Sequence, residues 1–131
     1  MRMIEQEQEN DDSTEVTWED QQQINLFSKL NTRMKAFEAK IDEAKQEKEA
    51  LDDLSTELEL TDEDETVLYK VGETFLHMPL PRATKRLEKD QTDLDAKLAQ
   101  LTDSSTQCET EMKKLKVALY AKFGTAINLD E

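Results

Sequence analysis

Few residues in this chain could carry chemistry, and their number and spacing speak against it. His77 is the single histidine, so neither a His-based metal site nor a catalytic dyad can be assembled around it. Cys108 is the single cysteine. It falls at a core position of the repeat described below, where a small, weakly polar side chain packs rather than attacks. Asp62, Glu63, Asp64 and Glu65 gather carboxylates. They lack the glycine and the ligand spacing of a calcium loop and read as a solvated connector. Trp18, the single tryptophan, stands at a helix start, where it either anchors the chain or meets a partner. No glycine-rich phosphate cradle and no nucleophile–base pair is present. The inventory points away from an enzyme and implies no cofactor and no metal.

Composition turns attention to long helices. The chain has 131 residues, a net charge of −14, 37% charged residues, 5% aromatic residues, two glycines and two prolines. That length suits one domain. The acidic balance disfavours nucleic acid, which needs clustered Lys and Arg, and disfavours anionic membrane surfaces. High charge with few turn residues reads as extended helix. The opening Met1-Arg-Met-Ile-Glu-Gln-Glu has no apolar run suited to a signal peptide, and no window approaches a membrane span. One cysteine excludes an internal disulfide framework. The expected location is the reducing cytoplasm, with the nucleus also compatible.

Two heptad tracts supply the helices. Taking Phe27 as a, the first tract places Phe27, Met34, Ile41, Lys48 and Ser55 at a and Leu30, Phe37, Ala44, Leu51 and Leu58 at d. The second places Gln91, Leu98, Ser105, Met112 and Leu119 at a and Leu87, Leu94, Leu101, Cys108 and Leu115 at d. A 3.5-residue seam predicts a coiled coil rather than a helix lying on a globular core. Lys48 is the one charged a residue of the first tract; its stem can lie along the seam while the ammonium reaches water. Two antiparallel registers are possible. One sets Phe37 beside Ser105 and Ala44 beside Leu98, pairing large with small; the other sets Phe37 beside Met112 and Ala44 beside Ser105. Volume favours the first.

Between the tracts, Val67, Tyr69 and Val71 alternate with Leu68 and Lys70, and Gly72 provides the conformational freedom of a tight turn. Phe75, Leu76 and Met78 form the return strand. Pro79 and Pro81 then stop the pairing, with Pro81 suited to the first turn of a helix. The organisation predicted is a disordered acidic tail over 1–16, a helix over 17–62 opened by a Thr17/Asp20 capping box, a β-hairpin over 63–80, a helix over 81–123 closed by Gly124, and a flexible tail over 124–131. The fold class is mainly α: a long antiparallel two-helix coiled coil with a β-hairpin at the bend. Helices of about 40 residues would each span about 60 Å.

A lone hairpin is marginal in water, and this one is apolar on both faces. Open edges and two sticky faces predict that hairpins from several chains close into a β-barrel platform. Val67, Leu68, Tyr69, Val71, Phe75 and Leu76 are the expected oligomerisation residues. Where the helix ends meet, Trp18, Ile24, Leu26, Phe27, Leu119, Tyr120, Phe123, Ile127 and Leu129 exceed what a narrow seam can bury. They predict either a binding surface or a small core capping the coiled coil.

Helix, hairpin and helix with heptads on both arms resembles a β-type prefoldin subunit, from about Thr17 to the end of the chain. The stretch Val67-Leu-Tyr-Lys-Val-Gly-Glu-Thr-Phe75 is similar to the family's strand, glycine turn and return strand. The closing stretch from Leu119 to Glu131 carries the most specific likeness. The resemblance implies a hetero-hexamer of two α-type and four β-type subunits, hairpins in a double β-barrel platform and six coiled coils hanging from it. It implies an ATP-independent chaperone that captures unfolded actin and tubulin and passes them to the cytosolic chaperonin. By position, it makes Ile24, Phe27, Leu119, Phe123, Ile127 and Leu129 the client-binding tip. The alternatives are a structural coiled-coil scaffold without clients and a small monomeric helical-bundle chaperone; the strand-rich centre argues against the bundle.

Overall fold

The protein is described here by a computed structural model covering residues 2–3 and 15–129. Most of the expected acidic tail over 1–16, and the last two residues, lie outside the described residues. In chain order the elements are β1 (Arg2–Met3), α1 (Trp18–Glu59), β2 (Thr66–Val71), β3 (Thr74–Pro79), α2 (Leu80–Phe123), a 3-10 turn (Gly124–Ala126) and β4 (Ile127–Asn128).

The start of α1 follows from the capping box. The Thr17 amide donates to the Asp20 carboxylate at 3.0 Å, and the Asp20 amide donates to the Thr17 hydroxyl at 3.1 Å. Two otherwise orphaned donors are thereby satisfied. At the other end, the Leu60 and Thr61 amides donate to Glu57 and Leu58 carbonyls, both at 3.2 Å. This tightening of the last turn closes α1 at Glu59, slightly before the expected 62.

The hairpin forms where period-two alternation and Gly72 predict it. β2 and β3 are antiparallel, with Val67 opposite Met78, Leu68 opposite His77, Tyr69 opposite Leu76 and Lys70 opposite Phe75. Gly72 has φ +63° at the first central turn position, where a side chain would be strained. Pro79 is the last residue of β3 and α2 begins at Leu80, whose amide donates to the Glu65 carbonyl at 3.1 Å. Pro81 is tolerated in the first turn because its missing amide hydrogen has no intrahelical acceptor there.

The chain divides into two compact units, one of residues 40–101 and one of residues 1–39 with 102–131. In the first, Leu58, Tyr69, Met78, Leu80, Ala83 and Leu87 form the core, with Leu51, Leu54, Val67 and Val71 packed against it. In the second, Ile24, Phe27, Leu30, Cys108, Met112, Leu119, Phe123, Ile127 and Leu129 form the core. Every a and d position of the first tract is at least partly buried except Lys48. Its ammonium meets the Asp95 carboxylate at 2.9 Å, and its side chain is half-exposed.

Polar pairs settle the register within each unit. Ala44 lies one helical turn before Lys48, and Leu98 one turn after Asp95, so their ion pair sets Ala44 beside Leu98. In the other unit Lys122 binds Asp20, and Phe37 and Ser105 lie equally far inward from that pair. Both match the register favoured on side-chain volume.

The expected flexible tail after Phe123 is corrected for residues 124–129. Gly124 takes φ +56°, the chain makes one 3-10 turn, and Ile127 and Leu129 enter the core. β4 pairs antiparallel with β1, Arg2 opposite Asn128 and Met3 opposite Ile127. Two apolar side chains placed two residues apart on an extended segment share one face, which is what draws the tail inward.

Candidate functional site

The hairpin has two unlike faces because side chains alternate along a strand. Val67, Tyr69 and Val71 point to the helices of their own unit, together with Met78. Leu68 and Phe75 point away and are 53% and 57% exposed, with His77 and Lys70 as their cross-strand neighbours. Leu76 is half-exposed opposite the buried Tyr69. Of the six expected oligomerisation residues, three are exposed: Leu68, Phe75 and Leu76. Tyr69 is only 2% exposed and belongs to the core of its own subunit. An aromatic in a strand reads the same from sequence whichever way it points.

Tyr69 also carries the most constrained polar contact of this unit. Its hydroxyl donates to Asp90 Oδ2 at 2.8 Å, and Arg86 Nε donates to Asp90 Oδ1 at 3.1 Å. Burial pushes the phenol well above its ordinary value, and the hydrogen bond to the Asp90 carboxylate adds to this. Sequence reasoning missed the pair, because the two residues are 21 apart and no local pattern links them.

The unit built from the start of α1 and the end of α2 differs from expectation in what it exposes. Ile24, Phe27, Leu119, Phe123, Ile127 and Leu129 are all buried. The expectation of uncovered apolar groups is corrected for these six: the inturned tail and the helices cover them, giving the small capping core. The surface above this core is apolar through other residues. Trp18 is 72% exposed and Val117 71%, with Leu26 and Tyr120 partly exposed. Trp18 is thus no anchor. Val117 was missed, although its signal is in the sequence: Leu115 at d puts it at f, an outward position where a charge is usual.

An ion pair ties α1 to α2 within this unit. The Lys122 ammonium donates to the Asp20 carboxylate that also caps α1. The Lys122 hydrogen bond, reinforced by the Thr17 amide, lowers the Asp20 carboxyl below its ordinary value. The Leu129 amide donates to the Tyr120 hydroxyl at 3.4 Å, tying the tail to α2.

Cys108 is buried in this core, as its d position predicts. Among the described residues no cluster of His, Cys, Asp and Glu could hold a metal ion, and no helix is long and apolar enough to cross a membrane.

Comparison with known proteins agrees with this architecture. The sequence profile described as prefoldin subunit matches residues 21–126. The chain is 47% identical to prefoldin subunit 4 of Saccharomyces cerevisiae over 130 residues, spanning 99% of each chain. It is 36% identical to the probable prefoldin subunit 4 of Schizosaccharomyces pombe, covering 88% of this chain and 96% of that one. Human prefoldin subunit 4 is 31% identical over 88% of this chain and 87% of its own. In structure, the prefoldin β subunit of Thermococcus strain KS-1 superposes with a TM-score of 0.71 at 14% identity, over 83% of this chain and 96% of that chain. That likeness speaks for the fold: two long antiparallel helices with a β-hairpin between them. With helix, outward-facing hairpin and helix in place, and relatives of the same kind matched over nearly their whole length, the chain belongs to the prefoldin subunit family, as a β-type subunit of the subunit 4 kind.

Proposed function

We propose that this component of the prefoldin chaperone complex acts in a hetero-hexamer of two α-type and four β-type subunits, in the cytoplasm. The hexamer captures unfolded actin and tubulin without nucleotide and hands them to the cytosolic chaperonin. Leu68, Phe75 and Leu76 meet sister subunits in a shared barrel of hairpins, and Val67, Tyr69 and Val71 hold the hairpin from behind.

Client contact falls to the exposed apolar residues Trp18, Leu26, Val117 and Tyr120. The buried Ile24, Phe27, Leu119, Phe123, Ile127 and Leu129 form the packed floor beneath them. The observation that supports this reading is the exposure of Trp18, Val117, Leu26 and Tyr120 together in the unit that holds the buried core, since several exposed apolar groups in one unit suit an interaction surface. Each contact contributes about 1–2 kcal/mol by area, so capture depends on several subunits gripping one chain.

The test is suppression of aggregation of denatured actin by complex carrying Trp18→Ser, Leu26→Ser and Val117→Ser together. Suppression should fall while native mass spectrometry still shows the six-chain assembly. Unchanged suppression would remove client contact from these residues. A lone homodimer in the mass spectrum would favour a scaffold without clients.

A further inference from the structure

Tyr69 is an uneconomical choice if its position needs only an apolar ring. Phenylalanine would fill the same space without a hydroxyl to desolvate, and a buried hydroxyl is tolerated only when bonded. Here the hydroxyl is bonded, to Asp90 on α2 at 2.8 Å. Asp90 is in turn held through its other oxygen by Arg86, one turn earlier on the same helix. The acceptor is thus braced before the phenol arrives.

This chain of three groups differs in kind from its surroundings. Leu58, Met78, Leu80, Ala83 and Leu87 hold the hairpin by apolar contact, which resists separation but not sliding or rotation. A charge-assisted hydrogen bond has a preferred direction and length. It fixes β2 on α2 at one setting. Because neighbouring side chains on a strand point oppositely, fixing Tyr69 inward fixes Leu68 outward. Through the ladder it also sets Phe75, which pairs with Lys70, on the same outward face. A two-stranded ribbon has little stiffness of its own to do this.

We propose that Tyr69 is a positioning residue for assembly: its bond to Asp90 sets the angle at which the hairpin offers Leu68 and Phe75 to sister subunits. The proposal rests on the hairpin being the assembly element. It accounts for a polar aromatic at a core position, and it moves Tyr69 from the contact surface to the support behind it.

The experiment uses the full chain mixed with the other prefoldin subunits, reading half-assembly concentration by native mass spectrometry and hydrogen exchange of residues 66–79. Tyr69→Phe should leave the helical circular dichroism of the free chain unchanged. It should speed hairpin exchange and raise the half-assembly concentration, each about tenfold, the effect of losing one such bond. Asp90→Ala should be at least as severe, because it leaves the buried phenol without its acceptor, and the double variant should be no worse than Asp90→Ala alone. Asp90→Asn, which keeps an acceptor oxygen for the phenol, should recover most of the assembly. Tyr69→Phe that assembles and exchanges like the parent overturns the positioning role alone. Leu68→Asp with Phe75→Asp that still assembles normally overturns the assembly reading of the hairpin, and the positioning role with it.

Discussion

The Lys48 ammonium lies 2.9 Å from the Asp95 carboxylate, so the one charged a position of the heptad tract that begins at Phe27 is met by an opposite charge on the second helix. The hydrogen bond from Lys48 to Asp95 raises the Lys48 pKa, which keeps the ammonium charged. Apolar seams tolerate slippage by a heptad, whereas a charge at a specifies one alignment. The pair is exposed, so its effect on stability is small and falls with salt.

Lys48→Glu should therefore lower the melting temperature slightly, because it places a third carboxylate near Asp52 and Asp95, and the loss should shrink in 1 M salt. Lys48→Leu should raise the melting temperature by restoring an apolar seam. A double variant, Lys48→Glu with Asp95→Lys, should recover most of the loss if the pair acts as described. Thermal melts by circular dichroism at low and high salt measure all three.

Asp20 ties pH to stability. Its folded carboxyl is held below the ordinary value of 3.8, first by the Lys122 hydrogen bond and then by the Thr17 amide. The folded state therefore binds this proton less readily than the unfolded state. The stabilisation is fully present above the unfolded value and is lost as pH falls through the folded one. Asp20→Asn should lower the melting temperature at pH 7 and make its decline between about pH 4.5 and 2.5 shallower. A pH series of melts on the two proteins distinguishes this from a uniform loss.

Tyr69 has the opposite slope. Its phenol is raised from 10.0 by burial and by Asp90, so the folded state keeps the proton that the unfolded state releases. The contribution is intact below the unfolded value and is lost as pH rises above it. Tyr69→Phe should show a smaller stability decline than the parent between about pH 9.5 and 11. Urea midpoints across that range provide the measurement.

Neighbouring residues at the start of α1 should respond very differently to truncation. Phe27 is fully buried, and Phe27→Ala should cost about 3–5 kcal/mol in chemical denaturation. Leu26 is 40% exposed, and Leu26→Ala should change stability by about 0.5 kcal/mol or less. If Leu26 meets clients, its variant should instead reduce aggregation suppression.

At the hairpin, a methyl group added to Gly72 would enter open space, but the backbone there has a φ of +63°. Gly72→Ala should thus be destabilising by about 1–2 kcal/mol through backbone strain alone. Gly72→Asn should cost less, since asparagine enters the left-handed region more readily. Equal losses in urea denaturation would point to crowding rather than strain.

Local periodicity made much of this protein readable from its residues. Spacings of three and four announced both helices and their buried seam, and the Thr17/Asp20 pair announced where the first begins. Alternation around Gly72 announced the hairpin. Each is a rule about neighbours along the chain, so the sequence alone suffices. Side-chain volume only favoured one register, which the Lys48–Asp95 and Lys122–Asp20 pairs fix. The folded chain decided which apolar groups are left for partners. Ile127 and Leu129 reach the core only because the chain reverses after Gly124 and covers Phe27 and Leu119. Tyr69 turns inward with Val67 and Val71 and bonds Asp90 on a helix 21 residues later, leaving Leu68 and Phe75 outside. Which apolar groups the tail covers and which long-range hydrogen bonds form depend on three-dimensional proximity, which no spacing along the chain encodes.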